Sequence, residues 1–199
     1  MNKAIKNPIS IICILFISLI LTSCSTDLTD YPQEKKPFDI KNYFSGDIIG
    51  RGIVQDYTNK VNRRFCVEIK GTWQGNEGTL AEKFYFNDGE ISYRNWQLTK
   101  KDNGSYLGLA EDVVGTAIGR HQGFAFQFSY DLLLKVEGET YQVAMDDWMY
   151  KIDDYRVMNK TSISKFGINV AEVTLFFDKE TPYQQCSSFS DNQLTQSES

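Results

Sequence analysis

The sequence predicts an all-β domain: an antiparallel β-barrel of about eight to ten strands with at most one short helix near its start. Three observations carry this. Long stretches alternate with a period of two, most plainly at 124–132, where Phe124, Phe126, Phe128, Tyr130 and Leu132 share one face and Ala125, Gln127, Ser129 and Asp131 the other. Hairpin-type turn pairs, Asp88-Gly89 and Asn103-Gly104, sit between apolar runs. Nothing between Phe38 and Lys179 has the 3.6-residue period of a crossover helix, except a short segment at Asp39–Phe44. A sheet with no helices to cover its edges hides them most economically by closing on itself.

Taken in order, residues 1–23 read as a secretory signal. Lys3 and Lys6 form a positive start, and Ile9–Leu21 is an apolar run of 13 residues, short of the roughly 20 needed to span a bilayer. Leu21-Thr22-Ser23-Cys24 resembles the bacterial lipobox, in which the cysteine, here Cys24, becomes the acylated N-terminus after cleavage. Two or three acyl chains on one residue suffice for stable anchoring. The alternative is an ordinary signal peptide with a chance cysteine. Ser25 stands where retention in the inner membrane usually has Asp, so the expected address is the outer membrane, lipid-anchored and facing the periplasm. Cleavage removes Lys3 and Lys6 and no acid, taking the net charge from −5 to −7. An acidic body gains nothing electrostatically from anionic headgroups, so lipid is the expected link to the bilayer.

Residues 24–37, polar and with Pro32 and Pro37, read as a tether. Residues 38–179 form the barrel domain, with strands expected at Ile48–Asp56, Arg63–Trp73, Thr79–Asn87, Trp96–Lys101, Tyr106–Val114, Phe124–Leu132, Tyr141–Ile152, Tyr155–Lys160 and Gly167–Asp178. Residues 180–199, rich in Ser and Gln, read as a flexible tail.

Composition excludes several functions. An acidic chain without a basic run does not suit nucleic acid, whose binding rests on phosphate neutralisation. One His and few cysteines nearly exclude a zinc site, and no metal is expected. Neither a dinucleotide fingerprint nor a P-loop occurs, and no cofactor is expected.

Five segments together are similar to a bacterial lipoprotein family, domain of unknown function 3833. They are residues 44–56, 78–84, 106–119, 145–150 and 159–167, and they occur in the family's order. The resemblance implies a lipocalin-like barrel; it implies no reaction, because the family has no established catalytic residues.

The chemistry-bearing residues divide into a few constellations. If the Asp88-Gly89 hairpin has a two-residue loop, Glu82 opposes Asn95, Phe84 opposes Tyr93 and Phe86 opposes Ile91. Glu82, Phe84, Phe86, Tyr93 and Asn95 then face the lumen, while Arg94 and Trp96 face out. A buried Glu82 would need Asn95, a Tyr hydroxyl or a cation. It is either a polar group fixing a ligand or part of a structural cluster. Asp146 and Asp147 are adjacent on a strand, so they face opposite sides and cannot act together as an acid–base pair unless a bulge rotates one of them; Asp147 shares its face with Val143, Met145 and Met149. Gly115, Ala117 and Gly119 leave room on one face, for a bend or for a close approach by another backbone or a ligand. His121, the one histidine, is the best general base available, but no nucleophile accompanies it and no enzyme is expected. Cys66 and Cys186 either form a disulfide, as the oxidising periplasm permits, or remain a buried thiol and an unrelated tail thiol.

The 27 aromatic residues exceed what a core of this size needs. The expected function is therefore that of an envelope lipoprotein holding a lipid or other apolar small molecule, walled by Phe84, Phe86, Phe126 and Phe128 and contacted by Glu82, Tyr93, Asn95 and Asp147. The alternative is a structural or assembly lipoprotein with a filled barrel that acts through a protein partner. A cavity of at least about 300 Å³ favours the first.

Overall fold

The computed structural model describes residues 26–189 apart from 137 and 188. Among them, ten antiparallel strands close into one barrel: β1 (Gly46–Asp56), β2 (Val61–Gln74), β3 (Glu77–Phe86), β4 (Ile91–Lys100), β5 (Tyr106–Leu109), β6 (Val113–Gln122), β7 (Ala125–Val136), β8 (Glu139–Lys151), β9 (Arg156–Lys165) and β10 (Ile168–Asp178). Each strand pairs with the next, and β10 returns to β1. The fold class is the one the alternation predicts. The four-residue helix α1 (Ile40–Tyr43) falls within Asp39–Phe44, and a 3-10 turn at Leu28–Asp30 precedes it.

Period-two alternation builds the core directly. Along β7, Phe126, Phe128, Tyr130 and Leu132 are buried in the lumen. Phe124 departs from the expected face. It lies just ahead of the strand and meets the rings of Tyr31 and Tyr150 on the outer wall.

The stretch expected as one strand at Tyr106–Val114 is two. The chain turns at Ala110–Asp112, where Val113 N donates to Ala110 O (3.2 Å), leaving β5 only four residues long. Gly115, at φ +74°, lies within the register shift between β6 and β7, which is the bend the small-residue stretch allowed.

The two ends of the barrel differ. At the base, the chain from Phe38 to Phe44 folds inward and plugs the opening. Phe38 N donates to Gly123 O (2.7 Å), Trp73 Nε1 to Phe44 O (3.1 Å) and the Tyr43 hydroxyl to Tyr155 O (2.9 Å). Phe44 packs edge-on against Phe177, and Phe38 against Phe126. Gly71 permits this plug: a Cβ there would lie 1.7 Å from Phe44 O. The opposite end, the mouth, carries the β1–β2, β3–β4, β7–β8 and β9–β10 turns and has no such plug among the described residues.

Two segments expected to be loose lie against the outer wall. Leu28 is buried with Ala125 and Trp148, and Tyr31 packs beside them, so much of the tether is docked on the barrel. Beyond β10, Cys186 is buried and forms a disulfide with Cys66 of β2. Its backbone N–H donates to Glu68 Oε1 (3.2 Å), whose other oxygen accepts from the Tyr85 hydroxyl (3.1 Å). Glu68 is thereby buried with its hydrogen bonds satisfied. Cys24 lies outside the described residues.

Candidate functional site

The site depends on one turn. Gly89 N donates to Phe86 O (3.1 Å) and Phe86 N to Glu90 O (2.9 Å), so the β3–β4 loop is Asn87-Asp88-Gly89, with Gly89 at φ +85°. This is the three-residue hairpin with glycine in the left-handed position, not the two-residue one. The extra residue slips the register by one. Glu82 now opposes Arg94, and Phe84 opposes Ser92. A slip of one turns every side chain of the second strand to the other face. Ser92, Arg94, Trp96 and Leu98 therefore point inward. Tyr93 and Asn95 point outward: Tyr93 is 68 % exposed, and Asn95 donates to Glu111 on the outer surface. The expectation that Tyr93 and Asn95 contact a lumen ligand is corrected, and Arg94 takes their place.

Above the base core the lumen opens into a cavity of about 440 Å³. Its wall is largely apolar, with Phe84, Phe86, Trp96, Phe128, Met145 and Met149 contributing. Phe84 and Phe86 stack at 6.1 Å, and Trp96 packs on Phe128 at 5.1 Å. Phe126 also lines the space, but as its floor: it is wedged against Phe38 and Tyr106 and is almost wholly buried.

A polar cluster interrupts this wall. Arg94 donates three hydrogen bonds to Asp112, from Nε to Oδ1 (3.1 Å) and Oδ2 (3.0 Å) and from Nη2 to Oδ2 (2.6 Å). Asp112 lies in the β5–β6 turn, and its carbonyl accepts from Leu133 N (2.8 Å), which ties the turn to β7. Burial works to lower the Arg94 pKa, but Tyr130, Glu82 and Asp112 around it raise it above its ordinary value. Asp147, reaching in from β8, accepts at Oδ1 from the Thr161 hydroxyl (2.6 Å) and from Asn159 Nδ2, both on β9. Burial raises its pKa against these two hydrogen bonds.

Glu82 is the exception in this cluster. The barrel encloses it, its carboxylate opens onto the cavity, and it accepts no hydrogen bond and forms no ion pair among the described residues. Its register partner Arg94 is committed to Asp112. Burial pushes the Glu82 pKa up to about 7, with Arg94 pulling it down and Asp147 and Asp112 pushing it further up.

The comparisons with known proteins agree with this architecture. A family described as a protein of unknown function, DUF3833, matches residues 18–179. The chain belongs to that family. No curated protein matches. Among solved structures, the S-type phycobiliprotein lyase of Guillardia theta superposes with a TM-score of 0.50 at 8% identity, covering 73% of this chain and 95% of the lyase. That likeness shows a shared lipocalin-like barrel.

In this member of the DUF3833 family, the structure brings together Glu82, Phe84, Phe86, Phe126, Phe128 and Asp147 of the expected site and excludes Tyr93 and Asn95. Asp146 faces outward, accepting from Gln127 Nε2 (2.6 Å) and Trp148 Nε1 (2.9 Å), so the two aspartates are separated as alternation requires. His121 is not part of the cavity wall. It lies near Gly104 at the base, with its Nδ1 buried and without a hydrogen bond among the described residues, and burial lowers its pKa. Sequence reasoning missed Arg94, Asp112, Asn159 and Thr161. For the last two a signal existed: they alternate on one strand, Asn159-Lys160-Thr161, a polar pair on an inward face.

Proposed function

We propose that this protein is a periplasm-facing lipoprotein, anchored in the outer membrane through acylated Cys24, that holds a lipid-like or other apolar small molecule in its barrel and performs no catalysis on it. The observation that carries the reading is the cavity of about 440 Å³, above the ~300 Å³ at which small-molecule sites begin. Its largely aromatic and aliphatic wall and small polar cluster are the usual anatomy of such a site. A barrel that serves only as a structural module has no need of that volume, and its core would be filled.

Native mass spectrometry tests the reading on protein whose own signal is replaced by an ordinary cleavable one and whose Cys24 is Ser, so that a non-lipidated chain is purified from the periplasm. The expected result is a co-purifying small molecule that is lost in Phe84→Trp, where the larger ring fills the cavity while the fold persists. Phe126→Trp is unsuitable, because Phe126 is packed into the floor. Consistent absence of any bound molecule would contradict the proposal. The anchor has its own test: labelled palmitate is expected to enter the wild-type protein and not Cys24→Ser, and a wild-type protein that takes up no label would refute it.

A further inference from the structure

The polar cluster says what kind of head the bound molecule carries. Glu82 and Arg94 are directly opposite on β3 and β4, where opposite charges normally pair. Here Asp112, held by the β5–β6 turn, takes the guanidinium through three hydrogen bonds. Both Glu82 oxygens are left facing the cavity without a protein donor among the described residues. Asp147 accepts both of its hydrogen bonds at Oδ1, so Oδ2 is also without one.

Within the cluster three carboxylates (Glu82, Asp112 and Asp147) face one guanidinium, with the Tyr130 hydroxyl beside them. The other cations lining the cavity stand at its mouth. Arg63 lies over the Phe86 ring and is engaged through Nη2 with Asp88 (2.8 Å) and Glu90 (2.9 Å), its Nε having no hydrogen bond among the described residues, and Lys135 is exposed at the rim. An enclosed carboxylate without a donor is costly, and a ligand that supplies the missing donors recovers that cost on binding.

We infer that the cavity selects an amphiphile with a protonated amine head, which donates to Glu82 and to Asp147 Oδ2 while its apolar chain lies along Phe84, Phe86 and Met149. An amphiphile ending in a carboxylate meets two acids and a guanidinium already neutralised, and is disfavoured. The inference rests on the proposed ligand-binding role.

The test uses mature Cys24→Ser protein at pH 8 loaded with N-phenyl-1-naphthylamine, a neutral apolar fluorophore, and displaces it with dodecylamine or with dodecanoate. Dodecylamine is expected to displace at a concentration at least about tenfold below that of dodecanoate. Glu82→Gln is expected to shrink that preference to about threefold or less, with displacement by each chain read against the variant's own fluorophore affinity. Asp147→Asn is expected to shrink it by a smaller factor. Equal displacement by the two chains, a preference for dodecanoate, or a preference that survives Glu82→Gln would overturn the amine assignment and leave the pocket intact. Failure of the fluorophore to bind at all would overturn the pocket itself, and the head-group assignment with it.

Discussion

The base and the upper half of this barrel are built from the same alternating strands, yet they treat polar groups in opposite ways. At the base, the Tyr43 hydroxyl, Trp73 Nε1 and the Asp39 carboxylate all have partners, the last holding Lys100 at 2.9 Å and the Tyr106 hydroxyl. Aromatic rings fill the remaining space. In the upper half the rings pack along the wall and leave a cavity between them, and Glu82 faces that open volume without a donor among the described residues. The base is packed and, apart from His121 Nδ1, its buried polar groups are paired among the described residues, and it shares a continuous wall with the upper half.

The comparison can be broken from either side. The largest expected effect touches both halves. The Cys66–Cys186 bond spans 120 residues, and removing it as the Cys66→Ala, Cys186→Ala pair is expected to cost roughly 4–5 kcal/mol in the chain-entropy picture, read as a lowered urea midpoint. Next is the base alone. Gly71→Ala places a methyl 1.7 Å from Phe44 O and is expected to cost about 3 kcal/mol by displacing the plug. If urea unfolding shows no loss, the base is not the rigid half.

The upper half should respond with the opposite sign. Glu82 has a folded-state pKa of about 7, above its unfolded value of 4.5. Between those values the folded state holds more protons than the unfolded one, so stability falls as pH rises through the interval. Glu82→Gln removes that penalty. It is expected to stabilise the protein by about 2 kcal/mol at pH 8 and to have little effect below pH 4.5. A loss of stability at pH 8 would mean that Glu82 has a partner in the folded protein. The smallest effect belongs to the outward residue of the same hairpin. Tyr93→Ala, on a 68 % exposed side chain, is expected to change stability by less than about 0.5 kcal/mol and to leave fluorophore binding unaltered.

Most of the fold was legible because period-two alternation is local information. The inward run Phe126–Leu132, the opposite facing of Asp146 and Asp147, and the short helix before β1 could all be read from neighbouring residues. The site was only half legible. Asp88-Gly89 suits both a two-residue and a three-residue hairpin, and choosing the shorter turned β4 over, exchanging Arg94 for Tyr93 and Asn95. The capture of Arg94 by Asp112 depends on a turn 18 residues away in sequence, which no local pattern reports. The docking of Leu28 and Tyr31 on Trp148 is likewise a tertiary contact made by a segment whose composition reads as a linker. The pairing of Cys66 with Cys186 stayed open for the same reason: spacing alone does not say whether two distant cysteines meet.

The central claim is that ligand enters the upper half and not the base. It is tested most directly by an NMR titration of the mature Cys24→Ser protein with dodecylamine at pH 8, following the Met145 and Met149 methyls and the backbone amides. The account predicts saturable shifts at those methyls and at Glu82, Phe84, Arg94 and Asp147, with the amides of Tyr43, Gly71 and Trp73 unmoved. Shifts confined to the outer wall around Tyr31 and Trp148, or none at saturating dodecylamine, would contradict it.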